Sequence, residues 1–229
     1  VFQTTGSAVN QLEITRKELL DMGLRGNPML SFVHNKSKTL EIVDELSEEI
    51  FNVLITCHRR ENLNSNFDYL IDSVIELANT HPNLNFLWLC HPNPFVEEKL
   101  KHEKLNNTLN IYVLDPVLLF DMFALYKTSK VIITDSGGVQ EEAVSFNVPT
   151  LVIREKTERK EALDSGNAKI VSVSDGTIKS VFNNFLNHTI ENNTNLFGDG
   201  KAAIRILDYF GDQLKISYQA PNLVQEENQ

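Results

Sequence analysis

The chain of 229 residues carries 21 Lys and Arg against 31 Asp and Glu, a formal charge of −10 with its six His neutral. No basic excess exists to displace counterions from a nucleic-acid backbone, which argues against a nucleic-acid partner. A hydrophobic share of 41% and a charged share of 23% describe a globular protein with one sizeable core, and no apolar run reaches the roughly 20 residues of a membrane-spanning helix.

The opening VFQTTGSAVN has neither the basic nor the apolar stretch of a secretory leader, and two cysteines, Cys57 and Cys90, are too few for a disulfide scaffold. A cytoplasmic protein with reduced thiols is the expectation. Residues 7–23 read as a helix, with Leu12, Ile14, Leu19, Leu20 and Met22 apolar and Gly23 as its stop. From Phe51 onward, short apolar runs at 51–56, 85–90, 110–115, 130–135, 149–154 and 168–173 predict strands. Between and after them, 67–79, 94–104, 117–127, 138–146, 159–165 and 175–187 predict helices. A last amphipathic helix spans 198–211 with Ile204, Leu207 and Phe210 on one side, and the polar, acidic QAPNLVQEENQ predicts a disordered tail. Strict alternation of strand and helix argues an α/β fold: a doubly wound, Rossmann-like parallel sheet covered on both faces. Ligands of such folds bind beyond the carboxyl ends of the strands.

The loops at those ends hold the chemistry. In TDSGGVQEEA a strand ends at Thr134, two glycines allow close backbone approach, and a helix begins whose unpaired N–H groups and dipole favour an anion. This reads as a phosphate cradle, neither Walker A nor the dinucleotide fingerprint; the competing reading is a plain turn capped by Ser136. Arg159, one loop later in REKTER, supplies a guanidinium that suits a diphosphate. Glu142 lies about one turn into the helix, where a carboxylate suits ribose hydroxyls, although Glu141 and Glu142 also fit as surface acids facing the helix dipole. Arg154, Lys156 and Lys160 fit a solvated charged face equally well.

HRREN gathers His58, Arg59, Arg60 and Glu61 after the first of these strands, with His91 and Asn93 of HPNP after the next. Two guanidiniums beside an imidazole bias it towards the neutral form, able to give or take a proton near neutral pH; a structural ion-pair network is the alternative. The pairs Cys57-His58 and Cys90-His91 raise a zinc reading, but neighbouring residues at a strand end point to opposite faces, so no metal site is assigned.

Taken together, HRRENLN, HPNP, TDSGGVQEEA, the TER of REKTER and FGDGKAAIRIL resemble the non-hydrolysing UDP-N-acetylglucosamine 2-epimerases, whose two Rossmann-like halves form the GT-B architecture. The resemblance runs from about Thr5 to Phe210, with TTGSAV similar to the family's segment at the interdomain crossing. It implies a linking helix region over 1–25, a UDP-binding domain over 26–212 closed by the final helix, and a tail over 213–229. It further implies that Ser136, Gly137 and Gly138 hold the UDP diphosphate, that Glu142 binds the ribose, that Arg159 neutralises phosphate charge and that His58 belongs to the catalytic cleft. Arg59 and His91 resemble positions at which some bacterial members bind a second, activating UDP-N-acetylglucosamine.

The reaction implied is inversion at C2 by elimination and re-addition of UDP, giving UDP-N-acetylmannosamine or a related sugar for surface polysaccharide synthesis, with no metal or nicotinamide and with a homodimeric enzyme. One departure concerns the uracil: thirteen residues before Asp135, where the family usually presents a stacking Phe, this chain has Met122, with Phe120 and Phe123 nearby. A second concerns extent. Family members are longer, and the N-terminal half that carries their acid/base carboxylates has no counterpart in this sequence. A nucleotide-sugar-binding fragment without turnover and one half of a GT-B glycosyltransferase are the alternative readings.

Overall fold

The computed structural model describes residues 51–187, 190 and 196–214, and in them the six apolar runs form one parallel sheet. The strands are β1 (Phe51–Thr56), β2 (Leu84–Leu89), β3 (Ile111–Leu114), β4 (Ser129–Thr134), β5 (Thr150–Val152) and β6 (Ala168–Ile170), in the order β3-β2-β1-β4-β5-β6. Every neighbouring pair is parallel. The expected helix over 7–23, the linking region 1–25, the start of the expected UDP-binding domain as far as residue 50 and the tail from 215 lie outside the described residues.

Side-chain alternation along the strands divides the core in two. Val53, Ile55, Phe86, Trp88, Val131 and Ile133 face α1 (Ser65–Thr80), α2 (Pro94–Leu100), α3 (Glu103–Asn106) and α7 (Thr177–Leu186). Their neighbours Leu54, Leu87 and Ile132 face α4 (Leu119–Thr128) and α5 (Gly137–Ser145). A smaller cluster of Val144, Val152, Ala162 and Ala168 seats α6 (Lys160–Asp164) beside β5 and β6. Because both faces are covered, the inner strands are buried along almost their whole length, which is why they read as continuous apolar runs.

Three expectations change in detail. The helix expected over 94–104 breaks after Leu100: His102 caps a separate α3, its ring Nδ1 accepting from the Lys104 N–H at 3.3 Å. The runs at 149–154 and 168–173 yield strands of only three residues each, since β6 is the sheet's edge and pairs with β5 only from Thr150 to Val152; Val171 and Val173 still enter the core. The final helix, α8 (Ala202–Leu214), begins later than expected, and its Ile204, Leu207 and Phe210 are about half exposed.

From β1 the chain winds outward through β2 to β3, then returns to lay β4 on the other side of β1. The crossovers on either side of that seam run to opposite sheet faces, so a crevice opens between the carboxyl ends of β1 and β4.

Candidate functional site at the sheet crossover

At that seam β1 and β4 end side by side, with the hydroxyls of Thr56 and Thr134 2.6 Å apart. The next residue after β4, Asp135, is fully buried between the two loops. Its carboxylate accepts from the backbone N–H of His58 (3.0 Å) and Arg59 (2.9 Å), from Asn62 Nδ2 (3.0 Å) and from the Cys57 thiol (3.3 Å). Such a donor set offsets the desolvation of a buried carboxylate and fastens the HRREN loop to the end of β4. Burial, reinforced by Asp135, pushes the Cys57 thiol far above the ordinary thiol range, so Cys57 is a donor here and not a nucleophile. Asn62 also donates to the Ile153 carbonyl at 2.9 Å, tying the loop to the end of β5.

The TDSGG turn is built as a helix start. Ser136 is the N-cap of α5, its hydroxyl 3.5 Å from the Val139 N–H, and its own N–H donates to Thr134 Oγ1 at 3.0 Å. Gly137 and Gly138 are the first two residues of the helix, whose N–H groups no intrahelical carbonyl can reach. Neither has a positive φ, so backbone conformation demands a glycine at neither position. A Cβ on Gly137 would stand 3.3 Å from both Cζ and Nη2 of Arg159, which places that guanidinium against the turn.

Arg159 is held there by three residues to which the sequence pattern gives no part in the site. Glu141 Oε1 accepts from its Nε at 2.7 Å, so Glu141 is an orienting partner and not a free surface acid. Gln140, fully buried, donates to the Ser136 carbonyl (3.1 Å) and accepts from Thr157 Oγ1 (2.7 Å), whose oxygen in turn accepts from the Arg159 N–H (3.2 Å). The Gln of VQEE and the Thr of TER are thus the link between the two loops, a pairing that no spacing rule reveals.

The cleft above the seam has a volume of about 410 Å³ and is lined by His58, His91, Met122, Ser136 and Val139 among others; of the expected site residues it brings together His58, His91, Met122 and Ser136, while Arg59, Gly137, Gly138, Glu142 and Arg159 are not among its lining. The His58 and His91 rings stack at 4.8 Å with 9° between their planes. Burial lowers the His58 pKa below its ordinary value; Asp135 opposes this, and His91 and Arg59 assist it. The neutral imidazole expected from the flanking arginines is therefore reached mainly by desolvation. Arg59 itself is partly exposed beside the cleft. Glu142 is buried on the side of α5 that faces α4, where Tyr126 donates to its Oε2 at 2.5 Å; burial raises its pKa while that bond lowers it.

The HRREN side chains divide between two places. His58 reaches the cleft, whereas Glu61 joins an ion-pair network in which the Arg154 side chain, only 6% exposed, bonds Glu61 at 3.2 Å and Glu158 at 2.9 Å. Arg154 is accordingly not part of a solvated face, and it holds the Glu158 carboxyl down to about 2.

Comparison with known proteins bears on this arrangement. A family model described as UDP-N-acetylglucosamine 2-epimerase matches residues 5–211. The chain is 35% identical over 164 residues to the UDP-N-acetylglucosamine 2-epimerase of Salmonella borreze, covering 69% of this chain and 43% of that protein. It is 27% identical over 215 residues to that of Bacillus subtilis (strain 168), covering 90% and 56%. The crystal structure of the Neisseria meningitidis UDP-GlcNAc 2-epimerase bound to UDP-GlcNAc superposes with a TM-score of 0.68 at 29% identity, over 80% of this chain and 51% of the other. The chain thus spans about half the length of the relatives it matches. With the family model covering the described sheet and the loops that line the cleft, the chain belongs to the UDP-N-acetylglucosamine 2-epimerase family.

Proposed function

We propose that this chain is the UDP-binding half of a UDP-N-acetylglucosamine 2-epimerase and that the cleft between β1 and β4 holds the nucleotide sugar. The observation that carries the reading is the Arg159 guanidinium lying against Gly137, beside two helix N–H groups that have no intrahelical acceptor. A diphosphate seated on Ser136, Gly137 and Gly138 would receive backbone N–H bonds, the helix dipole and a guanidinium together. Met122 and Val139 supply apolar surface for the base, and Glu142, whose Oε2 accepts from Tyr126, is assigned to the ribose.

In the reaction, the C1–O bond of the sugar breaks to release UDP as the C2 proton is removed, leaving 2-acetamidoglucal. UDP then adds back with a proton delivered to the opposite face of C2. The negative charge that gathers on the departing diphosphate meets preorganised donors, so the cradle stabilises the transition state more than the ground state and retains UDP for its return. The neutral His58 imidazole serves proton exchange within the cleft, while the carboxylates that act on C2 are assigned to the other half of the full-length enzyme. The homodimer, the cytoplasmic setting and a second UDP-sugar site at Arg59 and His91 belong to this proposal; among the described residues no helix is long and apolar enough to cross a membrane.

Calorimetry with UDP and with UDP-N-acetylglucosamine tests the reading directly. Both bind to the chain, and Arg159→Ala weakens UDP by at least about tenfold, the equivalent of one charge-assisted bond. An Arg159→Ala variant with undiminished UDP affinity removes the guanidinium from the site.

A further inference from the structure

Asp135 does more in this geometry than fasten a loop, and the reason lies in how its two oxygens are loaded. Oδ2 accepts from four donors: the N–H groups of His58 and Arg59, Asn62 Nδ2 and the Cys57 thiol. Oδ1 is shared with only one of these, the His58 N–H at 3.2 Å, and stands 3.4 Å from His58 Nδ1. An ionised carboxylate oxygen offers about two acceptor sites, so Oδ2 is saturated and Oδ1 keeps one, at 3.4 Å from the imidazole nitrogen. The ring cannot rotate away freely, because it stacks on His91.

We infer that Asp135 is a positioning residue that keeps the proton of neutral His58 on Nδ1 and so leaves Nε2 as the unprotonated nitrogen presented to the cleft. Which nitrogen carries the proton is set by the partner of the other one, and a buried carboxylate facing Nδ1 selects the Nδ1–H form. Contacts of this kind also tighten when a ligand closes the site, so 3.4 Å is within reach of a hydrogen bond. Because Ser136 follows Asp135 directly, the residue that orients the imidazole and the residue that caps the phosphate cradle share one turn of backbone. The inference rests on the proposal that His58 works in the cleft, but it can be tested without turnover.

The experiment is ¹⁵N NMR of the chain labelled at its histidine rings, with His58 identified by the signal lost in His58→Gln. Above the titration of His58, the wild-type ring carries its proton on Nδ1. In Asp135→Asn the proton moves to Nε2, whereas Asn62→Ala, which loosens the same loop but keeps the carboxylate, retains the Nδ1–H form. A wild-type ring protonated on Nε2 overturns the inference, as does an unchanged tautomer in Asp135→Asn or a tautomer lost equally in Asn62→Ala. If Asp135→Asn does not fold, the wild-type spectrum decides by itself. UDP calorimetry on the wild type separates the two claims: an Nδ1–H ring without UDP binding defeats the nucleotide reading alone, and UDP binding with an Nε2–H ring defeats this one alone.

Discussion

Gly137 and Gly138 stand side by side and answer to different demands. A methyl group on Gly137 would press on the Arg159 guanidinium at 3.3 Å, whereas the nearest atom to one on Gly138 is Ser136 Oγ at 3.9 Å. Both residues already have helical backbone, where Ala is favoured over Gly by up to about 1 kcal/mol. Gly138→Ala therefore leaves the unliganded melting temperature unchanged or slightly raised, while Gly137→Ala displaces Arg159 and weakens UDP by about tenfold or more. Thermal scans and calorimetry on the two variants check this. Glu142 supports a second prediction at this scale. Its folded pKa is raised from 4.5 by burial, so its contribution to stability is fully present below 4.5 and is lost as pH rises through the raised value. Tyr126→Phe removes a bond that holds that value down, leaves a buried carboxylate oxygen without its donor and costs about 1–3 kcal/mol. Urea denaturation from about pH 4 to about pH 8 should show a steeper loss of stability with rising pH in the variant than in the wild type. Ser136, Arg159 and His58 were legible as candidates because Ser, Arg and His advertise their chemistry at strand ends. Asp135, Gln140 and Tyr126 were not, because each acts through a partner between 16 and 77 positions away in the chain.

Among the elements, α5 has two tasks. Its first turn faces the cleft, and Gln140 on the next carries the REKTER loop through Thr157. Cutting that link should loosen Arg159 without touching it. In Gln140→Leu the Thr157 hydroxyl loses its acceptor, at a cost of about 1–3 kcal/mol, while the Ser136 carbonyl keeps the backbone N–H of residue 140. UDP affinity falls along with stability, and Thr157→Val, which takes the donor from Gln140 Oε1 and the acceptor from the Arg159 N–H, weakens UDP as well. Loss of melting temperature in the two, with UDP affinity untouched, rules out the link as a positioning device. The type and order of the elements followed from periodicity, since a fully covered parallel sheet demands apolar strands between amphipathic helices. Their ends did not follow. The break at His102 depends on a local cap, and the shortness of β6 depends on its place at the edge.

On the scale of the whole molecule, the described residues form one Rossmann-like half of a GT-B architecture, and the chain spans about half of the enzymes it resembles. The cleft is assembled from loops after four different strands, so it forms only when the sheet does. In the proposed reading its donors serve the leaving group, and a leaving-group site by itself does not invert a carbon. The expected outcome is that the chain binds UDP but yields no C2 epimer by NMR product analysis, and that a full-length family protein carrying this half does so without an acceptor sugar. An acceptor-dependent product would favour the glycosyltransferase reading instead.

Periodicity and residue chemistry were enough to read a doubly wound α/β domain with a glycine-rich helix start after one strand and an imidazole after another. Both are local properties: the apolar pattern reports which faces are covered, and Ser-Gly-Gly before a helix reports free N–H groups. Only the tertiary structure decided that β4 lies against β1, that Asp135 spans the seam and that Arg159 bends back onto Gly137. Those are contacts between residues distant in sequence, set by strand order and by the need to satisfy buried polar groups, and no short stretch of chain encodes them.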